Sequence, residues 1–438
     1  MKKFLQTIRN IFAIEELRTR ILNTVGFLII FRLGSFVVLP GVDPSKLETG
    51  AGGIFGLLNT FLGGAFERAS VFGLGIMPYI SASIVLQLMT VAVPYFQKLQ
   101  KEGDSGRKKI NQITRVLTIF ICMAQSLAYL SASIPSEAII LENEFLFKLS
   151  SMVILTSGTI FCMWLGERIT DKGIGNGISM LIMIGIISRF PGSIVAEAVT
   201  RGMSQALIFI LELVVLFFVV MATVALVQAV RRIPVQYAKQ VVGNKVYGGQ
   251  RQYIPLKVNS SGVMPIIFAQ SLMFLPAMLA GFWREQSDIA QYIGTTFSDI
   301  QSWQYNLLFA VLIILFTFFY TAITINPNQI ADDMKRNGGF IPGIKPGKQT
   351  SEFIDGVMSR ITLPGSFFLA LIAILPAFAM IAGVNSGFAQ FYGGTSLLIM
   401  VGVILDTLQQ IESYLLMRHY EGMMKSGRVK GRTQTAVA

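Results

Sequence analysis

Histidine is nearly missing from this chain: His419 is the single one in 438 residues. That removes any histidine-based metal or catalytic cluster. Cysteine is almost as scarce. Cys122 and Cys162 both fall inside apolar runs, so they read as small core residues rather than as a disulfide or a metal pair. Charge is thin, at 14% Asp, Glu, Lys and Arg. There is no Walker-type glycine loop, no HExxH, no Ser/His pair and no pair of carboxylates at helical spacing within an apolar run. Catalysis is therefore not indicated, and the sequence asks for no cofactor and no metal. No cleavable signal peptide is expected either, because MKKFLQTIRNIFAIEELRTR opens the chain as a basic amphipathic helix.

What is present is apolar. Hydrophobic residues make up 53% of the chain, which places it among polytopic membrane proteins. The stretch that organises the rest is GLGIMPYISASIVLQLMTVAV, residues 73–93. It is apolar enough to cross a bilayer, yet Gly73, Gly75 and Pro78 sit in its first turn. Just before it, GIFGLLNTFLGGAFER (53–68) is helical in pattern but too short to span, since a spanning helix needs ~20 apolar residues. A short apolar segment, a glycine break and a full span together predict a re-entrant half-helix leading into a broken helix. Non-helical backbone at membrane depth survives only where protein covers it or water reaches it. The first expectation is thus a cavity or pore closed from one side by the half-helix.

Apolar runs predict ten spans: 21–39, 73–94, 111–133, 147–166, 177–190, 206–228, 262–283, 305–325, 362–383 and 395–413. The Lys/Arg bias sets the orientation. Lys98, Lys101, Arg107, Lys108 and Lys109 follow span two, while residues 229–258 after span six carry many basic groups and no acid. The external loops are poor in basic residues, and 384–394 has no charge at all. Both termini are expected in the cytoplasm.

Ten spans divide into two halves of five, and an odd half inserts upside down relative to its twin. A trace of this repeat is visible. Gly75-Ile-Met-Pro78 opens span two and Gly262-Val-Met-Pro265 opens span seven, which makes Ile80 and Ile267 equivalent positions. The expected organisation is an amphipathic cytoplasmic helix 1–20, an N-terminal half 21–190 containing the half-helix 54–68, an external hinge loop 191–205, a C-terminal half 206–413 and a basic cytoplasmic tail 414–438.

Two cytoplasmic loops are long. Residues 229–261 alternate β-branched and aromatic with basic residues around Gly243-Asn244 and Gly248-Gly249, which predicts a projecting hairpin. Residues 326–361 carry a short polar helix, a Gly/Pro turn cluster and a second amphipathic piece. Two readings stand for such basic loops: contact with anionic lipid headgroups, or docking of a large acidic partner. Within the spans, Arg32, Glu212 and Asp406 read as groups that snorkel or pair locally. Ile76 and Ile80 are four apart and share a helix face, as do Ile178 and Ile182. Periodicity alone makes these packing or lipid contacts; the glycine breaks and the repeat make them candidates for a pore lining. A small-solute transporter with inverted repeats and an intramembrane enzyme are the competing classes. The first lacks a polar midplane site and the second lacks a nucleophile or a metal set.

GIMPYISASIVLQLM (75–89), KEGDSGRKKINQITR (101–115), WLGERITDKGIGNGIS (164–179), RRIPVQYA (231–238), YIPLKVNSSGVMPIIFA (253–269), GGFIPGIKPG (338–347) and GGTSLLIMVGV (393–403) resemble the SecY/Sec61-alpha family, the channel-forming subunits of the Sec protein translocon. The likeness runs in order from FRLGSFVVLPGVD (31–43) to the tail. It implies an all-α polytopic fold of ten transmembrane helices, in two inverted five-helix halves around a central pore.

It also implies residue roles. Six apolar side chains form the family's mid-membrane constriction, and the matching positions are Ile76, Ile80, Ile178, Ile182, Ile267 and Ile399. The family's plug matches roughly Ile54 to Arg68, with Phe55, Leu57, Leu58, Phe61, Leu62, Gly63 and Gly64. A lateral gate lies between spans two and three on one side and seven and eight on the other. Ser81, Gln87 and Asn259 are its polar candidates, with ordinary interhelical bonding as the alternative reading. Arg231, Arg232 and Lys245 in the first long loop and Lys345 in the second match positions that dock the ribosome or the motor ATPase SecA. The resemblance further implies SecE-like and SecG-like small membrane subunits, and signal peptides and nascent polypeptides as substrates. Where the family usually has arginine before the Pro-Gly of the second loop, this chain has Lys345, and Asn244-Lys245 stands where two basic residues are usual. Lysine keeps charge without the bidentate fork.

Overall fold

A computed structural model of the chain describes residues 12, 14–47, 59, 62–141, 143–237, 240–242, 245–247, 251–270, 272, 273, 296 and 299–425. Its helices are α1 (Glu15–Gly34), α2 (Met77–Ala92), α3 (Pro94–Lys101), α4 (Asp104–Ser133), α5 (Glu144–Lys172), α6 (Gly177–Arg201), α7 (Ala206–Gln228), α8 (Trp303–Thr324), α9 (Pro327–Arg336), α10 (Lys348–Ile381), α11 (Ser386–Ala389) and α12 (Gly394–Lys425). Residues 264–270, 272 and 273 form a further helical segment. Among the described residues, seven helices are long and apolar enough to cross a membrane, and the bent pair α2–α3 makes an eighth. The other two expected spans fall on α1, which carries charged residues at both ends, and on the segment from 264, most of whose continuation lies outside the described residues.

Local chemistry sets the breaks. Gly75 has φ +50°, a conformation glycine adopts without a steric cost, and Pro78 sits in the first turn of α2. Gly262 has φ +64° ahead of the helix that contains Pro265, so the sequence repeat is also a repeat of backbone geometry. At the other end of α2, Val93 is extended (φ −111°, ψ 120°), as the residue before a proline prefers, and α3 leaves at 101°. Asn176 caps α6, its side chain accepting from the amides of Ile178 (3.1 Å) and Ser179 (3.3 Å). Gly177 next to it has no room for a side chain: a Cβ would stand 1.9 Å from the Gly166 carbonyl oxygen of α5. Gly177→Ala is therefore expected to destabilise the fold by about 1–3 kcal/mol through overpacking, seen as a lower thermal midpoint in detergent. An unchanged midpoint would contradict this close approach.

Several expected boundaries move. The fifth span does not stop at 190. α6 runs through Pro191 to Arg201, so the external hinge loop 191–205 shrinks to Gly202 and a single 3₁₀ turn, Met203–Gln205. Proline removes one helical hydrogen bond, which a packed membrane helix tolerates. The first span ends at Gly34 rather than 39, because Leu39 donates to the Ala69 carbonyl and Val38 bridges Ser70. No break divides an N-terminal helix from span one at residue 20: α1 is continuous across it. The last helix continues past 413 to Lys425. Span six matches α7 residue for residue.

Of the half-helix expected at 54–68, Asn59 is helical, and the helix has ended by 62. Residues 62–69 form consecutive turns, with Gly63 and Gly64 at φ +62° and +89°. Two adjacent left-handed glycines end a helix. Phe55, Leu57, Leu58 and Phe61 lie outside the described residues.

The two long loops join. β1 (Val230–Tyr237) pairs antiparallel with β4 (Arg251–Lys257), which is the expected hairpin, and β2 (Gln240–Val242) pairs with β3 (Lys245–Tyr247) beyond it. The Gly243-Asn244 turn lies outside the described residues. β5 (Gly339–Phe340) from the second loop adds to the other edge of β1. Ile233, Val235 and Leu256 of the hairpin then bury against Met334, Ile341, Ile354 and Met358. The loops are one module with its own apolar core.

The membrane-length helices pack α1 on α5, α2 on α4, α4 on α5, α5 on α6, α8 on α10, and α12 on α6, α7 and α10. α6 and α12 thus join the helices before residue 205 to those after it.

Candidate functional site

The helices that begin at the glycine breaks converge on one small cavity. It has a volume of about 20 Å³ and is lined by Met77, Ile80, Ile182, Ile267, Gln270, Thr395 and Ile399. Four of the six candidate isoleucines therefore meet there, delivered by α2, α6, the segment from 264 and α12. The remaining two stand in the same packing: Ile76 and Ile178 share an apolar cluster with Ile80, Ile182 and Ile267. Ile182 and Ile267 in turn touch the cluster that holds Ile399, Met180 and Phe391. Ile76, Ile80 and Ile399 are buried, with 4%, 8% and 3% exposure.

The two polar side chains at the cavity are bonded to each other. Thr395 Oγ1 donates to Gln270 Oε1 at 2.6 Å, and both residues are buried. What remains is a surface of branched hydrocarbon around a space large enough for about one water. Such a lining carries no charged ligand for an ion and no general base. Among the described residues, no group of three or more His, Cys, Asp or Glu side chains stands together to bind a metal.

The turns at 62–69 pack in an apolar core of their own, beside the break at Gly75. Leu62, Ala65 and Phe66 are buried in a core with Leu74, Tyr129 and Leu155. The Tyr129 hydroxyl donates to the Phe66 carbonyl at 2.7 Å. Gly75 lies against Leu62, whose Cδ2 would be 2.3 Å from any Cβ there.

Among the described residues, the hydrogen bonds of the three gate candidates are local. Ser81 Oγ donates to the Met77 carbonyl (3.2 Å), Gln87 Nε2 to Ser83 Oγ (3.4 Å), and Asn259 Oδ1 accepts from Ser261 Oγ (3.3 Å). None of these bonds crosses from α2 to the segment from 264 or to α8. Arg231 and Arg232 are exposed on β1, Lys345 is exposed in the turn before α10, and Lys245 lies in β3. These four belong to the joined loop module and are remote in sequence from the cavity.

A charged cluster was not legible as such in the sequence. Arg201 Nε donates to Glu197 Oε1 at 2.9 Å, and Arg201 Nη2 donates to Glu212 Oε1 at 2.6 Å and to the Gly383 carbonyl at 2.7 Å. Glu197 Oε2 accepts from the Asn385 amide at 3.0 Å. Glu197 and Glu212 are 0% and 8% exposed. The cluster ties the end of α6 to α7 and to the turn after α10. Glu212 is paired, as the reading of local pairing expects; its partner, however, comes from α6.

Comparison with known proteins agrees with this architecture. The family model for SecY matches residues 70–408. A protein translocase subunit SecY of Streptomyces coelicolor is 43% identical over 432 residues, covering 94% of this chain and 98% of that protein. Among solved structures, a protein-conducting channel superposes with a TM-score of 0.64 at 15% identity, covering 94% of this chain and 95% of the other. Sec61 in the canine ribosome–channel complex from the endoplasmic reticulum gives 0.60 at 14% identity, with the same coverage. The fold is that of those channels, and the chain is a multi-pass membrane protein that belongs to the SecY family of protein translocase subunits.

Proposed function

We propose that this chain passes unfolded secretory polypeptides across the cytoplasmic membrane of a bacterium. The observation that carries this reading is the cavity at which α2, α6, the segment from 264 and α12 bring four isoleucines together, with Thr395 bonded to Gln270 beside them. Ile76, Ile80, Ile178, Ile182, Ile267 and Ile399 act as a gasket: branched side chains pack around a moving chain, bind no part of it tightly, and exclude water at rest. The segment from Ile54 to Arg68 is the plug that covers the gasket externally. The burial of Leu62, Ala65 and Phe66 at the end of this segment supports the reading.

A signal sequence or transmembrane segment leaves sideways between spans two and three and spans seven and eight, driven by ~0.8 kcal/mol per buried methylene. Ser81, Gln87 and Asn259 tune that seam, and their purely local bonds in this structure leave them available to an entering chain. Both termini and the joined loop module face the cytoplasm. SecA or the translating ribosome docks on the module and supplies the work, SecE-like and SecG-like subunits brace the halves, and anionic lipids meet the basic rim. The two five-helix halves move against each other as the functional domains.

The test is reconstitution of the chain with its small subunits in proteoliposomes, with SecA and ATP outside. A signal-bearing unfolded polypeptide is expected to become protease-protected; a purified complex that binds substrate but protects none would overturn the reading. For docking, R231E/R232E is expected to weaken SecA or ribosome binding roughly tenfold at low ionic strength, with the difference shrinking as salt rises. Equal binding of the variant and the parent at low salt would reduce the hairpin to a solvated surface.

A further inference from the structure

The charges at the end of α6 do not balance. Two carboxylates, Glu197 and Glu212, share one guanidinium, Arg201, and all three side chains are largely withdrawn from solvent. One negative charge is in excess, and a buried charge without a counter-charge is strongly unfavourable. Arg201 is already committed. Its Nε and Nη2 serve Glu197 Oε1, Glu212 Oε1 and the Gly383 carbonyl, and its Nη1 donates to Gln205 Oε1 at 3.3 Å. Glu197 Oε2 takes the Asn385 amide. Glu212 Oε2 is left, buried and with no hydrogen bond among the described residues. A second oxygen of the same kind stands near it. Tyr392, between α11 and α12, is 5% exposed, and its hydroxyl also has no hydrogen bond among the described residues. Tyr392 shares an apolar cluster with Leu216, one turn beyond Glu212 on the same face of α7. Its hydroxyl faces the charged group: burial, then the charges of Glu212 and Glu197, push its ionisation up, with Arg201 opposing, so it stays neutral.

We propose that this cluster binds one monovalent cation, a proton or an alkali ion, between Glu212 Oε2 and the Tyr392 hydroxyl. One added positive charge cancels the excess and gives both oxygens a partner at once. A proton, drawn from bulk water, forms an O–H bond on Oε2 and is donated to the Tyr392 oxygen, which has lone pairs to accept it. An alkali ion instead takes the two oxygens as ligands, as hard cations do. The ionisable groups whose charges act on Glu212 are Arg201 and Glu197 of α6, with Tyr392 beside them; the turn after α10 brings only the Gly383 carbonyl and the Asn385 amide. The site is separate from the isoleucine cavity and does not depend on the pore reading. On the orientation proposed above, the end of α6 and the start of α7 lie outside, so the cation comes from the external solution. Because α6, α7, the turn after α10 and Tyr392 all contribute, an occupied site strengthens the join between the helices before residue 205 and those after it.

The experiment compares the full chain, assembled with its small subunits in detergent, with E212Q and Y392F. Thermal midpoints are read in choline chloride across the acidic and neutral range, and then at fixed pH and ionic strength with choline replaced by sodium or potassium. The parent is expected to gain a few degrees in one of these two arms. A gain on acidification comes with the infrared band of a protonated carboxyl; a gain on adding sodium or potassium comes with one equivalent of that ion bound, read by calorimetry. E212Q places a neutral amide at the site and is expected to lose both the gain and its accompanying signal. Y392F keeps every charge, so it serves the comparison even if E212Q assembles poorly; it is expected to bind the cation about tenfold more weakly. A parent that responds in neither arm, or only as E212Q does, would overturn the cation site and leave at most a bridging water. Equal affinity in Y392F and the parent would overturn the assigned pair of oxygens.

Discussion

Replacing Ile80 and Ile267 together with serine is expected to raise the resting ion conductance of reconstituted complexes by roughly an order of magnitude or more, because a dewetted constriction becomes wet. The two residues are equivalent by the internal repeat, and both line the same cavity of about 20 Å³. Removing two sec-butyl groups opens space for several waters, and the serine hydroxyls give those waters partners. I80V/I267V is expected to stay tight, since it keeps branched hydrocarbon on both sides. The measurement is planar-bilayer current without substrate. A serine variant no leakier than the parent would mean that the seal lies elsewhere.

The second large effect concerns stability. Arg201→Met is expected to cost about 3–5 kcal/mol, because it strands two carboxylates that are almost fully buried. Glu197 would keep one hydrogen bond, from Asn385, and Glu212 would lose its only one among the described residues; its Oε2 already has none. Replacing the whole charged group, R201M/E197Q/E212Q, is expected to recover most of that loss, since a neutral cluster carries no unpaired charge. The check is the thermal midpoint of the full chain in detergent. If the triple variant were as unstable as the single one, packing by the Arg201 side chain would account for the effect rather than charge.

These two expectations mark how far the sequence could be read. Spacing placed Ile76 with Ile80 and Ile178 with Ile182 on one face, and the Gly-x-Met-Pro repeat paired Ile80 with Ile267; Ile399 and the six as a set came from the family resemblance. Span six was legible because Glu212 alone interrupts its apolar run. Arg201, by contrast, was hidden behind Pro191. A proline in an apolar run reads as a helix end, and only a helix that continues through it brings Glu197 and Arg201 into register four residues apart. β5 was invisible for a different reason. Two residues carry no periodicity, and Gly339 and Phe340 become a strand only because β1 offers them an open edge. In the segment before the first break only the end departs from the helical pattern: Gly63 and Gly64 take left-handed φ values, which the pattern does not register. Ion pairs such as Glu67–Arg189 join residues far apart in the chain, and no local signal announces them.

The most direct test of the central claim is crosslinking from the constriction itself. A photo-reactive side chain is placed at Ile80, and separately at Ile182, in complexes holding a stalled secretory chain and in complexes holding none. Both positions are expected to capture the stalled polypeptide, and only neighbouring helices when no substrate is present. Capture of lipid or neighbouring helices alone, with the stalled chain present, would contradict the account and make these isoleucines ordinary packing.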